Sequence, residues 1–242
     1  MKRETFKNMI KDGLDKLEIS YNNDQIDKLW KYKNLLIKEN KKYNLTNITD
    51  EKEIIKKHFL DSLAPLAEIN IPDSFKILDL GTGAGFPAMV WKIFLEKNDF
   101  LLIDSTLKKV NFLKLLSAKL ETYDNLEIVH GRAEDLGQNS EYREKYDLVL
   151  TRAVASLNIL SEYTLAFAKK GSLLYYYKGP DYIEEKKNSD KAFKILGAKF
   201  VEAKKIRVPG LEAERYLLIY KKSKKTPSKY PRRAGIPKKR PL

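Results

Sequence analysis

Hydrophobic positions recur with a helical period over the first 70 residues. Phe6, Met9, Ile10, Leu14 and Leu17 fall on one stripe, and Ile26, Leu29, Trp30, Leu36 and Ile37 on a second. Asn22 followed by Gln25 has the spacing of a capping box and predicts the start of the second helix. A third helix is predicted to open at Asp50, with Ile54, Ile55, Phe59 and Leu63 as its apolar face. Pro65 distorts or ends it, because proline brings no amide donor to the helix ladder. From Ser74 the rhythm changes. Short apolar runs, Lys76 to Leu80, Phe100 to Asp104, Leu126 to His130, Tyr146 to Thr151 and Ser172 to Lys178, alternate with helical stretches. In one such stretch Leu107, Val110, Leu113, Leu116 and Leu120 share a face.

This alternation predicts an α/β fold with a mostly parallel sheet covered on both sides. Two last runs, Lys199 to Val208 and Arg215 to Lys221, flank Pro209–Glu214 and predict a closing antiparallel hairpin. The expected organisation is an N-terminal helical region (1–73), an α/β domain (74–221) and a tail (222–242). The tail has no apolar period and holds four of the nine prolines, so an extended conformation is expected.

Composition narrows the chemistry. With 242 residues the chain can bury a sizeable core. No apolar run approaches the ~18–20 residues of a membrane-spanning helix, and no secretory signal follows Met1. Cysteine is absent, which excludes disulfides, cysteine-held metal clusters and cysteine nucleophiles. The only histidines are His58 and His130, so no metal site is expected. A cytoplasmic protein, monomeric and free of membranes, is the expectation.

The net charge of +14 is unevenly spread. Ten Lys/Arg and no Asp/Glu lie between Lys221 and Leu242, leaving +4 for the first 220 residues, where 37 basic face 33 acidic side chains. A nearly balanced body with a basic tail points to a polyanionic partner. Such runs bind phosphates by releasing counterions, without reading sequence. The candidate contacts are Lys224, Lys225, Lys229, Arg232, Arg233, Lys238, Lys239 and Arg240, with Tyr230 placed to stack on an unpaired base. Lys108 and Lys109 add charge on the body, and Lys178 follows the fifth strand. A solubilising tail is the bland alternative.

The most informative segment runs from Ile77 to Pro87, where Asp79-Leu80-Gly81-Thr82-Gly83-Ala84-Gly85-Phe86-Pro87 joins the first strand to a helix. Ligands of open α/β sheets bind at such strand ends. The third glycine comes one residue earlier than in the dinucleotide fingerprint Gly-x-Gly-x-x-Gly, which disfavours a nicotinamide dehydrogenase. Asp79 is a poor neighbour for a pyrophosphate and a good one for the ammonium and sulfonium of S-adenosylmethionine. Asp104, ending the second strand, can accept from both ribose hydroxyls. Ala133 and Glu134 follow the third strand, where an adenine edge would lie. The cofactor contacts that these positions point to are Asp79, Gly81, Gly83, Gly85, Asp104, Ala133 and Glu134.

Methyl transfer is an in-line displacement that depends on positioning. Absence of cysteine rules out the adduct route to pyrimidine C5. The fourth strand ends in Thr151-Arg152-Ala153-Val154 rather than the Asn/Asp-Pro-Pro-aromatic loop of amine methylation. A ring nitrogen with a free lone pair needs neither device, and carboxyl or hydroxyl acceptors stay open. No dedicated general base is expected, and the catalytic residue is left unassigned. Arg152 borders the methyl site, where it would meet the methionine carboxylate, a phosphate or the base. His58 and Asp61, one helical turn apart, read as a structural pair or as substrate-side residues.

The chain resembles the ribosomal RNA small subunit methyltransferase G family, also called glucose-inhibited division protein B. The matching segments are Asn44-Leu45-Thr46, His58-Phe59-Leu60-Asp61-Ser62, Asp79 to Pro87, Arg152-Ala153, Ala155-Ser156-Leu157-Asn158, Lys178-Gly179 and Val208-Pro209. The resemblance implies a Rossmann-like class I methyltransferase fold behind a helical N-terminal region. It implies N7 methylation of one guanosine in the 530-region loop of bacterial 16S rRNA, with S-adenosylmethionine as donor. Free rRNA, an assembly intermediate and the small subunit all remain open as substrates. It places cofactor contacts on Gly81, Phe86, Ala133, Glu134 and Arg152, with Asp104 as ribose partner. Ala213 and Ala88 depart from the family, which often has glycine, or glycine and serine, there. The rivals are a non-catalytic rRNA-binding assembly factor and a small-molecule methyltransferase.

Overall fold

A computed structural model describes all residues, 1–242. Two amphipathic helices open the chain, α1 (Arg3–Lys16) and α2 (Asn23–Tyr43). The capping box forms: the Asn22 side chain accepts from the Gln25 N–H, and the Gln25 side chain accepts from the Asn22 N–H, both at 2.9 Å. The third helical segment is less regular than its apolar spacing predicts. It runs as α3 (Glu51–Ile54), a π-helical stretch (Ile55–Leu60), α4 (Asp61–Leu63) and a 3-10 turn (Ala64–Ala67). Pro65 sits in that tight last turn, as its missing amide requires.

The sheet has seven strands: β1 (Lys76–Leu80), β2 (Asp99–Asp104), β3 (Leu126–His130), β4 (Tyr146–Arg152), β5 (Ala168–Lys178), β6 (Ala198–Ile206) and β7 (Arg215–Lys222). Their order is β3-β2-β1-β4-β5-β7-β6. The first five are parallel, and β7 runs antiparallel between β5 and β6. The intervening helices are α5 (Ala88–Phe94), α6 (Leu107–Leu120), α7 (Ala133–Leu136), α8 (Leu157–Leu165) and α9 (Tyr182–Leu196).

Strand side chains alternate between faces, and the two faces carry separate cores. Ile77, Phe100, Leu102, Leu148 and Leu150 join α2, α5, α6 and the N-terminal helices in one cluster of 37 residues. Leu78, Leu101, Ile103, Val149 and Leu174 join α8 and α9 in a second, of 20. The N-terminal region therefore supplies much of one sheet cover, with Phe6, Leu29 and Phe59 fully buried.

The C-terminal tail differs from expectation. Lys222 ends β7 and is 1% exposed, Thr226 and Tyr230 are buried, and the chain closes in a short helix, α10 (Ile236–Lys239). Tyr230 packs in the second core, so its ring is not available to stack on a base. The segment lacks an apolar period because polar contacts hold it. Arg143 donates to the carbonyls of Tyr230 (2.8 Å) and Thr226 (3.0 Å), and Gln138 to that of Pro231 (2.8 Å).

Candidate functional site

The carboxyl ends of β1 and β4 meet where the strand order reverses, the usual ligand position of an open α/β sheet. The glycine loop there is folded onto the end of β2. The N–H groups of Gly81 and Thr82 both donate to the Ile103 carbonyl, at 2.8 and 3.2 Å. The Gly83 N–H donates to Asp104 Oδ2 at 2.9 Å, and Thr106 N–H to Oδ1 at 2.8 Å. Asp104 thus shapes the loop while keeping acceptor lone pairs for a ligand. Gly81 has φ +70°, and a Cβ there would lie 2.5 Å from Val154 Cγ2, so both conformation and space demand glycine.

Beside this loop lies a cavity of about 190 Å³. It brings together four residues that sequence singled out, Gly81, Asp104, Ala133 and Glu134, with Val154 and Tyr163. Two walls come from the tail, Gly235 and Lys238. The remaining expected contacts lie elsewhere around the loop. Gly83 lies on the loop's open side, where an added Cβ would meet only its own loop's Gly81 carbonyl at 3.9 Å. Gly85 packs against the Tyr32 hydroxyl, and Tyr32 donates to the Ala84 carbonyl. Asp79 is fully buried beneath the loop. Its Oδ2 accepts from the Ala88 N–H, and the Thr82 hydroxyl is the side-chain donor beside the carboxylate. Burial pushes the Asp79 carboxyl up to about 7.

These features fit an S-adenosyl cofactor: a cavity with a carboxylate at the end of β2, and a buried carboxyl under the loop with no cationic side chain bonded to it, which suits a cationic ligand. Asp104 would hold the ribose, and Asp79, acting from beneath, would favour the positive end.

A second cluster lies on the other side of the loop, against the N-terminal helices. Arg152, at the end of β4, donates to Asp61 Oδ2 at 2.7 Å, and Arg215 donates to Asp61 Oδ1 at 3.1 Å. The Arg152 guanidinium sits 5.4 Å from the centre of the Phe86 ring and 3.4 Å from His58 Nδ1. His58 stacks on Phe86 at 4.4 Å, with Tyr32 stacked at 5.1 Å from Phe86. Nδ1 faces a cation and must accept, so Nε2–H donates to the Thr46 hydroxyl at 2.9 Å. Burial first, then the Arg152 charge, lowers the His58 pKa to about 3. The imidazole is neutral at any working pH. The π turn puts His58 and Asp61 against Arg152 while Ile55 and Phe59 remain in the core.

Arg152 is therefore committed to Asp61 and His58 and does not line the cavity holding Asp104 and Glu134. Lys178 pairs with Glu185 at 2.6 Å and donates to the Ala155 carbonyl, bracing a loop. Lys109 lies 3.8 Å from Asp104, and Lys108 is exposed. In the tail, Arg232 is clamped to Glu162, while Lys224, Lys225, Lys229, Arg233, Lys238, Lys239 and Arg240 are exposed. Sequence reasoning missed Tyr32, Val154, Tyr163 and Gly235. Tyr32 and Tyr163 lie on helices whose periodicity reports only a packed face. Thr46 stood within the quoted Asn44-Leu45-Thr46 segment, and its position in a family motif was the one available signal.

The profile of the rRNA small subunit methyltransferase G family matches residues 25–215. The chain belongs to this family. Curated relatives under that name include one from Alkaliphilus oremlandii, 44% identical over 98% of both chains. Another, from Desulforamulus reducens, is 45% identical over 96% of this chain and 97% of the relative. Family membership makes S-adenosylmethionine the methyl donor. Solved structures share the fold at low identity. A fibrillarin pre-rRNA processing protein of Methanococcus jannaschii superposes with a TM-score of 0.51 at 21% identity, over 67% of this chain and 76% of the other. A 16S rRNA adenine methyltransferase from Catenulisporales acidiphilia gives 0.53 at 13%, over 64% and 88%. They place the rRNA small subunit methyltransferase G fold among class I methyltransferases. No helix is long and apolar enough to cross a membrane.

Proposed function

We propose that this chain methylates N7 of a guanosine in the 530-region loop of bacterial 16S rRNA. The observation that carries the reading is that neither acid–base candidate beside the glycine loop is free. Asp61 is held by two arginines, and His58 is kept neutral between Thr46 and Arg152. A base with a pKa near 3 takes protons poorly at neutral pH. Asp79, whose pKa is matched to such work, is fully buried and out of an acceptor's reach. Guanine N7 presents a lone pair and no proton, so it asks only for alignment.

S-adenosylmethionine supplies an electrophilic methyl group. Asp104, Ala133 and Glu134 hold its adenosine end, Gly81 and Gly83 let it approach the backbone, and Asp79 favours its cation from below. Arg152, fixed by Asp61, keeps the Phe86–His58 stack in place beside the incoming base. The exposed lysines and arginines of the tail draw the rRNA electrostatically. The substrate is free rRNA, an assembly intermediate or the small subunit.

Mapping N7-methylguanosine in small-subunit rRNA from cells with and without this gene tests the proposal. The modification is expected to vanish from one guanosine of that loop. A modification that persists without the gene, or a methyl group on a different atom, overturns it.

A further inference from the structure

Directed hydrogen bonds fasten the segment after β7, and its end lines the cavity beside the glycine loop. Glu162 on α8 is 1% exposed and takes three groups of Arg232: the backbone N–H at 2.7 Å, Nε at 2.9 Å and Nη2 at 2.6 Å. Arg143 and Gln138 hold the carbonyls of Tyr230 and Pro231. From this anchor the chain reverses at Gly235, whose φ of +84° an L side chain rarely adopts. Nothing lies within 4 Å of a Cβ placed there, so glycine serves the turn and not a close approach. The reversal delivers the Gly235 N–H to Glu134 Oε1 at 2.9 Å. Pro237 is then buried, and Lys238 completes the cavity that also contains Asp104 and Ala133. A free arm for polyanions needs none of this. Its basic groups would work as well on a flexible chain, and burying the Glu162 carboxylate would cost desolvation without return.

We propose that the C-terminal segment Arg232–Lys239 is the outer wall of the adenosine end of the cofactor pocket, positioned by the Glu162–Arg232 and Glu134–Gly235 contacts. The proposal rests on the reading that this cavity takes the adenosine of the cofactor. Glu134 is then a positioning residue as much as a contact: one carboxylate oxygen is committed to the tail, and the residue lines the cavity beside Tyr163. The same short segment carries Arg233 and Lys239 exposed, with Arg240 directly after it. The cofactor wall and the polyanion-facing surface are thus two sides of one piece of chain.

The test compares the full chain with a chain ending at Arg232, which keeps the Glu162 clamp and loses the wall together with Leu242, packed at the edge of the second core. Binding of S-adenosylhomocysteine, and of methylthioadenosine as the adenosine-bearing fragment, is measured by calorimetry. Both ligands are expected to lose at least about tenfold in affinity on truncation, while the thermal midpoint without ligand stays close to that of the full chain. A second readout needs no variant. Saturating S-adenosylhomocysteine is expected to slow tryptic cleavage after Arg233 and Lys238 by roughly tenfold, because a ligand that binds the closed form lowers the open population. Unchanged affinities in a folded truncated chain, or cleavage indifferent to the ligand, overturn the wall and leave the pocket reading intact. A full chain that binds neither ligand overturns both.

Discussion

Residues 1–67 and residues 222–242 lie at opposite ends of the chain, and both pack onto the sheet, the first through apolar stripes and the second through polar clasps. Phe6, Leu29, Leu36 and Phe59 are completely buried in the larger core. In the tail the fastening is done by Arg143, Glu162, Glu134 and Gln138, whose partners stand 70 to 101 residues away in sequence. Apolar burial is spread over many side chains and tolerates small movements. A clasp made of directed hydrogen bonds concentrates its strength at a few atoms and yields when one is removed. The first end supports the Phe86–His58–Arg152 cluster, and the second lines the cavity that holds Asp104 and Glu134.

The largest effect is expected where the apolar end is breached. Phe59 meets the rings of Tyr32 at 5.3 Å and Phe86 at 5.6 Å. Phe59→Ala should cost ~3–5 kcal/mol, seen as a fall in the thermal midpoint on the order of 10 °C. Glu162→Ala should cost less, ~2–3 kcal/mol in urea unfolding, because much of Arg232 can return to water. Its signature is local: tryptic cleavage after Arg233 accelerates more than global unfolding does. If Glu162→Ala destabilises the chain more than Phe59→Ala, the contrast between the two ends is inverted.

The next effect sharpens the electrostatic side. Asp79 is protonated below about 7, so taking up a cation beside it releases a proton. S-adenosylmethionine affinity should therefore rise with pH between 5 and 7, by at most ~10-fold per unit, and level off above. Titration calorimetry on Asp79→Asn should give a flat profile, and a parent profile that is already flat removes the cation from Asp79's neighbourhood. The smallest effect is at the exposed face of the tail. Replacing Lys239 and Arg240 together by Gln should flatten the slope of log affinity for RNA against log salt by ~1.5. An unchanged slope would mean that this face does not meet phosphates.

Elements with their own periodicity were readable in advance. The seven strands lie within a few residues of their apolar runs, and the capping box at Asn22 forms. Gly81, Asp104, Ala133 and Glu134 were each legible as residues at strand ends, and they do share one cavity. Leu107 was misread: it shares a period with Val110 and Leu113 but is 54% exposed, at the first residue of α6. Arg152 was placed at the right strand end, and its contacts to Asp61 and His58 were not foreseen. The π turn that brings Asp61 and His58 to it leaves no mark in residue spacing.

The amino-acid sequence by itself determined the order of helices and strands, the glycine loop at the first strand end and the surplus of positive charge at the carboxyl end. These follow from local rules: side-chain period, glycine's freedom at positive φ, and the sum of ionised groups. Tertiary structure alone decided which charges meet. Arg232 and Arg240 are the same residue type in the same basic run, yet one is locked to a buried carboxylate and the other faces water. The difference arises because ion pairing depends on distance and burial in three dimensions, and both are set by how the sheet's two faces were covered.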